Sequence, residues 1–153
     1  HAARAATAAR YLAQPAHALT TDQQAQIADE VAAVMTDPAF AGLFGPDSLA
    51  EVPVTGLVPG PGGVPQVVSG QLDRLAVTPE SVTIVDYKTN RPPPETADHV
   101  PVIYLRQMAA YRALMREIYP GREIRCCLLW TDWPRLMPLD AAALDRFVPQ
   151  PAA

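Results

Sequence analysis

Lysine and overall positive charge are both scarce in this sequence. Of 12 basic residues 11 are arginine, so Lys88 is the single lysine, and 16 acidic residues bring the net charge to −4. A protein that holds nucleic acid by itself normally presents a basic surface, and this composition excludes one. Any polyanion that this chain meets must therefore be delivered by another domain or subunit, or be neutralised by a metal ion.

Cysteine and long apolar runs are also scarce. Cys126 and Cys127 are adjacent, and neighbours on a strand point to opposite faces, so the pair offers neither a disulfide framework nor a metal-binding spacing. A reducing cytoplasm is the expected location. No run approaches the about 18 apolar residues of a membrane span, so we expect no membrane partner. The apolar fraction of 49% excludes a disordered chain.

The length indicates one domain with one core, because 153 residues fall within the usual size of a domain. The chain begins with His1 rather than methionine, and we expect it to be a piece of a longer protein. We expect residues 1–47 to form an N-terminal helical segment of the same domain and residues 48–153 to form its core.

Hydrophobic spacing and turn residues predict an alternation of helices and strands. Helices are predicted over 2–13, 21–37 and about 102–119, with a short one over 139–147. Strands are predicted over 51–54, 67–78, 81–89 and 123–131, the middle two forming a hairpin around Pro79 and Glu80. This order predicts an α/β fold in which helices flank a central mixed β-sheet.

The hairpin brings two acids together. If Thr78 faces Ser81 across the turn, Asp73 lies directly opposite Asp86. Opposed carboxylates at this spacing repel by roughly 3 kcal/mol at an effective dielectric constant of ~20, so a folded chain needs a cation between them. Oxygen ligands favour a hard divalent ion, Mg²⁺ or Mn²⁺. Glu51, at the start of the preceding strand, is the obvious third acid.

Lys88 lies two residues beyond Asp86 and projects from the same face. Its compact ammonium can approach a water or a phosphate oxygen, and we hypothesise that it orients and helps to deprotonate an attacking water. A guanidinium is larger and keeps its proton, which offers a reason for lysine in a chain that otherwise uses arginine. Arg74 points to the other face, where we expect a structural ion pair.

Less specific interpretations exist for each residue of this group. The Asp86 and Lys88 pair is typical of a solvated strand end with a weak ion pair when it occurs alone. Glu51 could be an exposed charge, and Gln107 and Tyr111, one helical turn apart, could be ordinary helix-face residues.

Three segments together resemble a known family. GQLDRL, then IVDYKTN, then QMAAY on the next helix, resemble the RecB-type nuclease domain of the PD-(D/E)XK superfamily, in particular the nuclease domains of AddA-type helicase-nucleases. The resemblance implies a restriction-endonuclease-like core and Mg²⁺-dependent (or Mn²⁺-dependent) cleavage of DNA. It implies metal ligation by Glu51, Asp73, Asp86 and the backbone carbonyl of Tyr87, catalysis by Asp73, Asp86 and Lys88, and support of the site and of the DNA backbone by Gln107 and Tyr111.

The resemblance also implies partners and a biological context. Such domains follow helicase domains in the same full-length chain, work with a second, AddB-like subunit, and act as exonucleases on DNA during double-strand break repair and recombination. The histidine ligand that this family carries upstream has no match in His1 or His17, so we expect the isolated chain to be weakly active or inactive. The alternative is a catalytically inactive nuclease-fold module with a structural or DNA-guiding role in a larger complex.

Overall fold

A computed structural model describes residues 2–60, 64–132 and 134–148. His1 lies outside the described residues. The helices are α1 (Ala2–Leu12), α2 (Thr21–Thr36), α3 (Val102–Ile118) and α4 (Ala141–Asp145), and the strands are β1 (Ser48–Val58), β2 (Gln66–Val77), β3 (Ser81–Lys88), β4 (Glu123–Trp130) and β5 (Arg135–Leu139). Short 3₁₀ turns occupy Pro15–His17, Pro38–Phe44 and Ala97–His99. Within the described part of the chain, no helix is long and apolar enough to cross a membrane.

The strands form one mixed sheet in the order β1-β2-β3-β4-β5. β3 and β4 run parallel, joined by the crossover helix α3, and the other neighbouring pairs are antiparallel. Parallel neighbours require such a crossover, whereas the other pairs are connected by short turns or a loop. The predicted α/β class, with a central mixed sheet flanked by helices, is confirmed.

The element boundaries agree closely with the prediction except at the two edge strands. β1 runs over Ser48–Val58 rather than 51–54, because residues with a high strand propensity continue the strand beyond the predicted end. β5 was not predicted, since Pro138 in the segment RLMPL weighs against a strand. Proline is tolerated there because β5 is an edge strand, where the missing backbone N–H of Pro138, which pairs with Cys127, interrupts no ladder in the interior of the sheet.

The sheet has an apolar cluster on each side. On the α3 face, helix α3 covers side chains that include Ile84, Leu128 and the fully buried Trp130. On the reverse face, α2 and the turn at Pro38–Phe44 cover Val85, Cys127 and Leu129. A sheet covered on both faces explains why β3 and β4 read as nearly continuous apolar runs.

The two cysteines are buried on opposite faces, and we expect both to be unreactive in the folded chain. Burial raises the pKa of the Cys126 thiol to about 12, and burial also raises the pKa of Cys127. Since the thiolate is the nucleophile, the reactive fraction of Cys126 at pH 8 should fall about a thousandfold or more below that of an exposed cysteine. Titration with Ellman's reagent should detect both thiols only after denaturation. Rapid modification of either thiol in the folded chain would contradict this burial.

Candidate active site

Three acids lie in a row across β1, β2 and β3. In the β1–β2 ladder the pairs Ala50↔Arg74 and Val52↔Leu72 place Glu51 opposite Asp73. In the β2–β3 ladder the pairs run from Val77↔Val82 to Arg74↔Val85 and stop one step before Asp73 and Asp86. This is the register that the turn chemistry predicts.

The backbone is distorted at this row. Glu51 has φ 53°, a left-handed conformation that costs of order 1–3 kcal/mol for a residue with a side chain and that concentrates at functional sites. β2 also changes its alternation here. Leu72 and Leu75 both pack on the α3 face, although their positions in the strand differ by three, an odd number, and Arg74 contacts Phe44 on the reverse face. Glu51 and Asp73 therefore lie in an irregular stretch of the sheet, where side chains do not follow the regular two-residue alternation of a strand.

Asp86 is buried on the α3 face, with only 5% of its surface exposed. Lys88 Nζ forms an ion pair with Asp86 Oδ2, and among the described residues this buried oxygen has no other partner. Burial raises the pKa of Asp86; contact with Lys88 and its charge lower it, and the charge of Asp73 raises it further. The result is a buried carboxylate oxygen with unused capacity to accept a ligand.

Asp73 is fixed by a main-chain contact. Its Oδ2 accepts a hydrogen bond of 2.6 Å from the backbone N–H of Tyr87, just beyond the last ladder pair between β2 and β3. The carboxylate thus substitutes for a ladder carbonyl and remains beside Asp86, since Tyr87 is the next residue.

A hydrogen-bond relay runs from Lys88 along α3 and back to β1. Lys88 Nζ donates to Gln107 Oε1 at 3.2 Å, Gln107 Nε2 donates to the Tyr111 hydroxyl at 3.4 Å, and that hydroxyl donates to the carbonyl of Gln71 at 3.3 Å. Gln71 Nε2 then donates to a carboxylate oxygen of Glu51. The relay connects Gln107 and Tyr111 to Lys88 on one side and to the backbone of Gln71 on the other.

Two contacts of the site were not predicted as such. Lys88 Nζ lies 4.0 Å from the ring centroid of Tyr104, whose hydroxyl donates to Asn90 Oδ1 at 2.9 Å. Tyr104 lies one helical turn before Gln107, so its spacing could have revealed it. Gln71 lies two residues before Asp73, yet nothing in its neighbourhood distinguishes it from an ordinary strand residue.

The described residues contain no group of three or more His, Cys, Asp or Glu side chains that could hold a metal ion. Glu51 is directed at Gln71, so the structure does not bring it into one ligand group with Asp73 and Asp86. The remaining donors nevertheless fit a hard divalent ion: Mg²⁺ is commonly bound through one or two carboxylates and keeps several waters. The carboxylates of Asp86 and Asp73, which are close enough for the charge of one to raise the pKa of the other, supply those two groups.

Comparison with protein families matches residues 1–137 to the PD-(D/E)XK nuclease superfamily. The chain belongs to this superfamily. Its members are nucleases that generally use divalent metal ions. The mixed five-stranded sheet flanked by helices is consistent with the restriction-endonuclease-like fold of this superfamily.

Two other comparisons add little to this assignment. A solved structure described as "Crystal structure of SSO0001" is 17% identical and has a TM-score of 0.39, over 95% of this chain and 66% of that chain. A likeness of this size carries no argument about function, and the chain spans less than two thirds of that structure's length. No curated protein matches the chain.

Proposed function

We propose that this PD-(D/E)XK nuclease chain is a divalent-metal-dependent deoxyribonuclease domain that hydrolyses phosphodiester bonds. One observation carries the proposal: the carboxylate of Asp86 is buried, forms an ion pair with the only lysine of the chain, and feels the charge of Asp73 on the neighbouring strand. Burying a carboxylate costs free energy. Binding of a metal ion gives a functional reason for keeping the carboxylate at this position.

The acids are proposed to hold the metal ion. Asp73, Asp86 and the backbone carbonyl of Tyr87 would provide the first ligands, and Glu51 would join them after leaving Gln71. When bound, a divalent ion, Mg²⁺ or Mn²⁺, neutralises charge on the phosphoryl oxygens and makes water more acidic. Burial of Asp86 keeps competing water away from the carboxylate and so strengthens the electrostatic interactions inside the site.

Lys88 is proposed to orient the attacking water and to stabilise the charge that develops on the phosphate. Gln107 Oε1 accepts one of its N–H groups, and the Tyr104 ring lies over the ammonium, so its position is fixed before substrate arrives. Preorganised charge of this kind is a large contributor to catalysis. Gln107 and Tyr111 act through Lys88 or through the DNA backbone.

We further propose the biological context that the sequence resemblance implies. The domain would be the exonuclease of an AddA-type helicase-nuclease that acts in double-strand break repair and recombination, in the cytoplasm, with an AddB-like partner. Residues 1–47 and 48–153 would belong to one domain of that longer protein. The net charge of −4 supports this view, since a motor that delivers DNA removes the need for a basic surface.

The test is cleavage of end-labelled single-stranded DNA by the intact protein. We expect products with Mg²⁺ or Mn²⁺ and none with excess EDTA, and restoration when the metal is added back. Cleavage that continues unchanged in EDTA would refute the metal-dependent mechanism.

The alternative, an inactive module that guides DNA, is favoured by one observation: Glu51 is turned away from the other acids. Thermal unfolding distinguishes the two functions. An ion that binds only the folded state raises the unfolding temperature, and a module without a site shows no such rise. We expect Mn²⁺ to stabilise the protein against heat, and equal unfolding temperatures in Mn²⁺ and EDTA would favour the inactive module.

Gly70→Ala is expected to lower the cleavage rate by about 10- to 100-fold, because small displacements of positioning groups have effects of this order. A Cβ on Gly70 would overlap the Tyr111 hydroxyl and lie 2.8 Å from Tyr111 Cε1. Tyr111 would have to move, which breaks the relay that holds Gln107 and Lys88. The measurement is the initial rate of cleavage at saturating metal.

Gly56→Ala is the matched control. This glycine lies on the neighbouring strand, and its Cβ would overlap the end of the Leu114 side chain on the same helix. Leu114 is flexible and lies outside the relay, so the variant should lose some stability and keep its rate. Equal rates for the two variants would show that Tyr111 has no positioning role.

A further inference from the structure

Tyr87 joins β2 and β3 where their main-chain ladder stops. The last ladder pair is Arg74↔Val85, and beyond it two side chains of β2 take over. Asp73 Oδ2 accepts from the Tyr87 backbone N–H at 2.6 Å. Arg74 Nε donates to the Tyr87 hydroxyl at 3.1 Å. Consecutive residues of β2 therefore hold the backbone and the side chain of one residue of β3.

The Arg74 contact lies on the reverse face, away from the acids. Its guanidinium carbon is 4.9 Å from the ring centroid of Phe44, and Nη1 donates to Ser48 Oγ at 3.4 Å. The prediction that Arg74 forms a structural ion pair is wrong, since no carboxylate pairs with it among the described residues. The guanidinium instead uses its donors to link β1, β2 and β3 behind the site.

Packing restrains the Tyr87 ring only in part. The half-buried ring contacts the apolar cluster of the reverse face. It also borders a cavity of about 510 Å³, which Phe44, Arg74 and Tyr87 line together with side chains of α2. A side chain next to an open cavity has no full shell of packed atoms to restrain it. The hydrogen bond from Arg74 to the Tyr87 hydroxyl therefore adds a directional restraint that packing does not supply.

We propose that Arg74 and Tyr87 form a positioning pair on the reverse face of the sheet. The pair fixes the distances between the proposed metal ligands on the other face, which are Asp73, Asp86 and the Tyr87 carbonyl. The inference rests on the proposed metal-dependent function. Without the pair, the Asp73 carboxylate alone would join the ends of the two strands, and the same carboxylate is the proposed ligand. Groups that orient metal ligands in this way typically change metal affinity by about 10- to 100-fold when they are removed.

The experiment measures Mn²⁺ binding directly, by the electron paramagnetic resonance signal of unbound Mn²⁺ in a titration of the intact protein. We expect Tyr87→Phe, which keeps the ring and the backbone, to weaken binding by about 10-fold or more. Arg74→Met removes the other partner and should weaken binding to the same extent. The double variant should be no worse than either single variant, because both remove one interaction.

Tyr119→Phe is the matched control. The ring of Tyr119 also lies next to an arginine, with the guanidinium carbon of Arg122 5.2 Å from the ring centroid, but Tyr119 lies at the end of α3, outside the site. It should bind Mn²⁺ like the wild type. Wild-type protein that binds no Mn²⁺ would overturn the proposed function, and this inference with it. Wild-type protein that binds while Tyr87→Phe and Arg74→Met bind equally well would overturn this inference alone. If those variants unfold at a lower temperature in EDTA but keep their Mn²⁺ affinity, the pair stabilises the fold only, and this inference is likewise overturned.

Discussion

Replacing Asp86 by alanine is expected to reduce metal-dependent DNA cleavage by about a thousandfold, the upper end of losses seen when a preorganised electrostatic group is removed. Asp86 is 5% exposed, and apart from the ion pair with Lys88 its Oδ2 has no partner among the described residues. Asp73 cannot replace it, because one oxygen of Asp73 is already committed to the Tyr87 N–H. The measurement is the cleavage rate of single-stranded DNA in saturating Mg²⁺.

The same substitution should change how the stability of the metal-free fold depends on pH. Burial raises the pKa of Asp86 above its ordinary value of 3.8, so the folded state binds its proton more tightly than the unfolded state does. The stability that Asp86 contributes is present below about pH 4 and is lost as the pH rises through the raised pKa. Asp86→Ala lacks this loss, so its unfolding temperature in EDTA should fall less steeply with pH than that of the wild type.

The control is Asp29→Ala, which removes an exposed acid from the surface of α2. It should leave the rate, the pH dependence of unfolding and the response to Mn²⁺ unchanged. Retained cleavage in Asp86→Ala would remove Asp86 from the site. A loss of cleavage supports the assignment only if the variant still unfolds cooperatively in EDTA, since a misfolded variant has no cooperative transition.

The register of the acid pair could be predicted because it depends on a local feature. A short turn between Thr78 and Ser81 fixes which residues face each other along the whole hairpin, and Thr78 N indeed donates to the Ser81 carbonyl at 2.8 Å. Helix α3 could be predicted for a similar reason, since its apolar spacing extends over many residues. The position of Gln107 next to Lys88 then follows from the crossover between β3 and β4.

The direction of Glu51 could not be predicted. Side chains along a regular strand alternate between its two faces, and a prediction from sequence relies on this alternation. The left-handed φ of Glu51 breaks the alternation at that residue, and nothing in the segment AEVPV predicts this conformation. The bond from Gln71 then holds its carboxylate away from the other acids. The ion pair predicted for Arg74 was wrong for a related reason. Arg74 does lie on the face opposite the acids, but its guanidinium contacts two hydroxyl groups and an aromatic ring from distant segments instead of a carboxylate.

Lys88→Arg is expected to reduce cleavage almost as much as Lys88→Met, by about 10²- to 10³-fold, although arginine keeps the charge. The side chain of Lys88 is only 12% exposed, and its Nζ lies among Asp86 Oδ2, Gln107 Oε1 and the Tyr104 ring. A planar guanidinium is larger than this space and points its donors in fixed directions. It would displace Gln107 or the ring, and the water that Lys88 orients would lose its partner.

Arg106→Lys is the reciprocal control, because Arg106 is exposed on α3 next to Gln107 and the exchange keeps one positive charge. It should cleave at the wild-type rate, which separates the effect of shape at Lys88 from a general effect of charge near the helix. If Lys88→Arg cleaves like the wild type while Lys88→Met does not, a positive charge at this position is sufficient for cleavage. The compact shape of the ammonium would then not explain why this position is the single lysine. If Lys88→Met also cleaves normally, Lys88 serves only as the counter-ion that allows Asp86 to be buried.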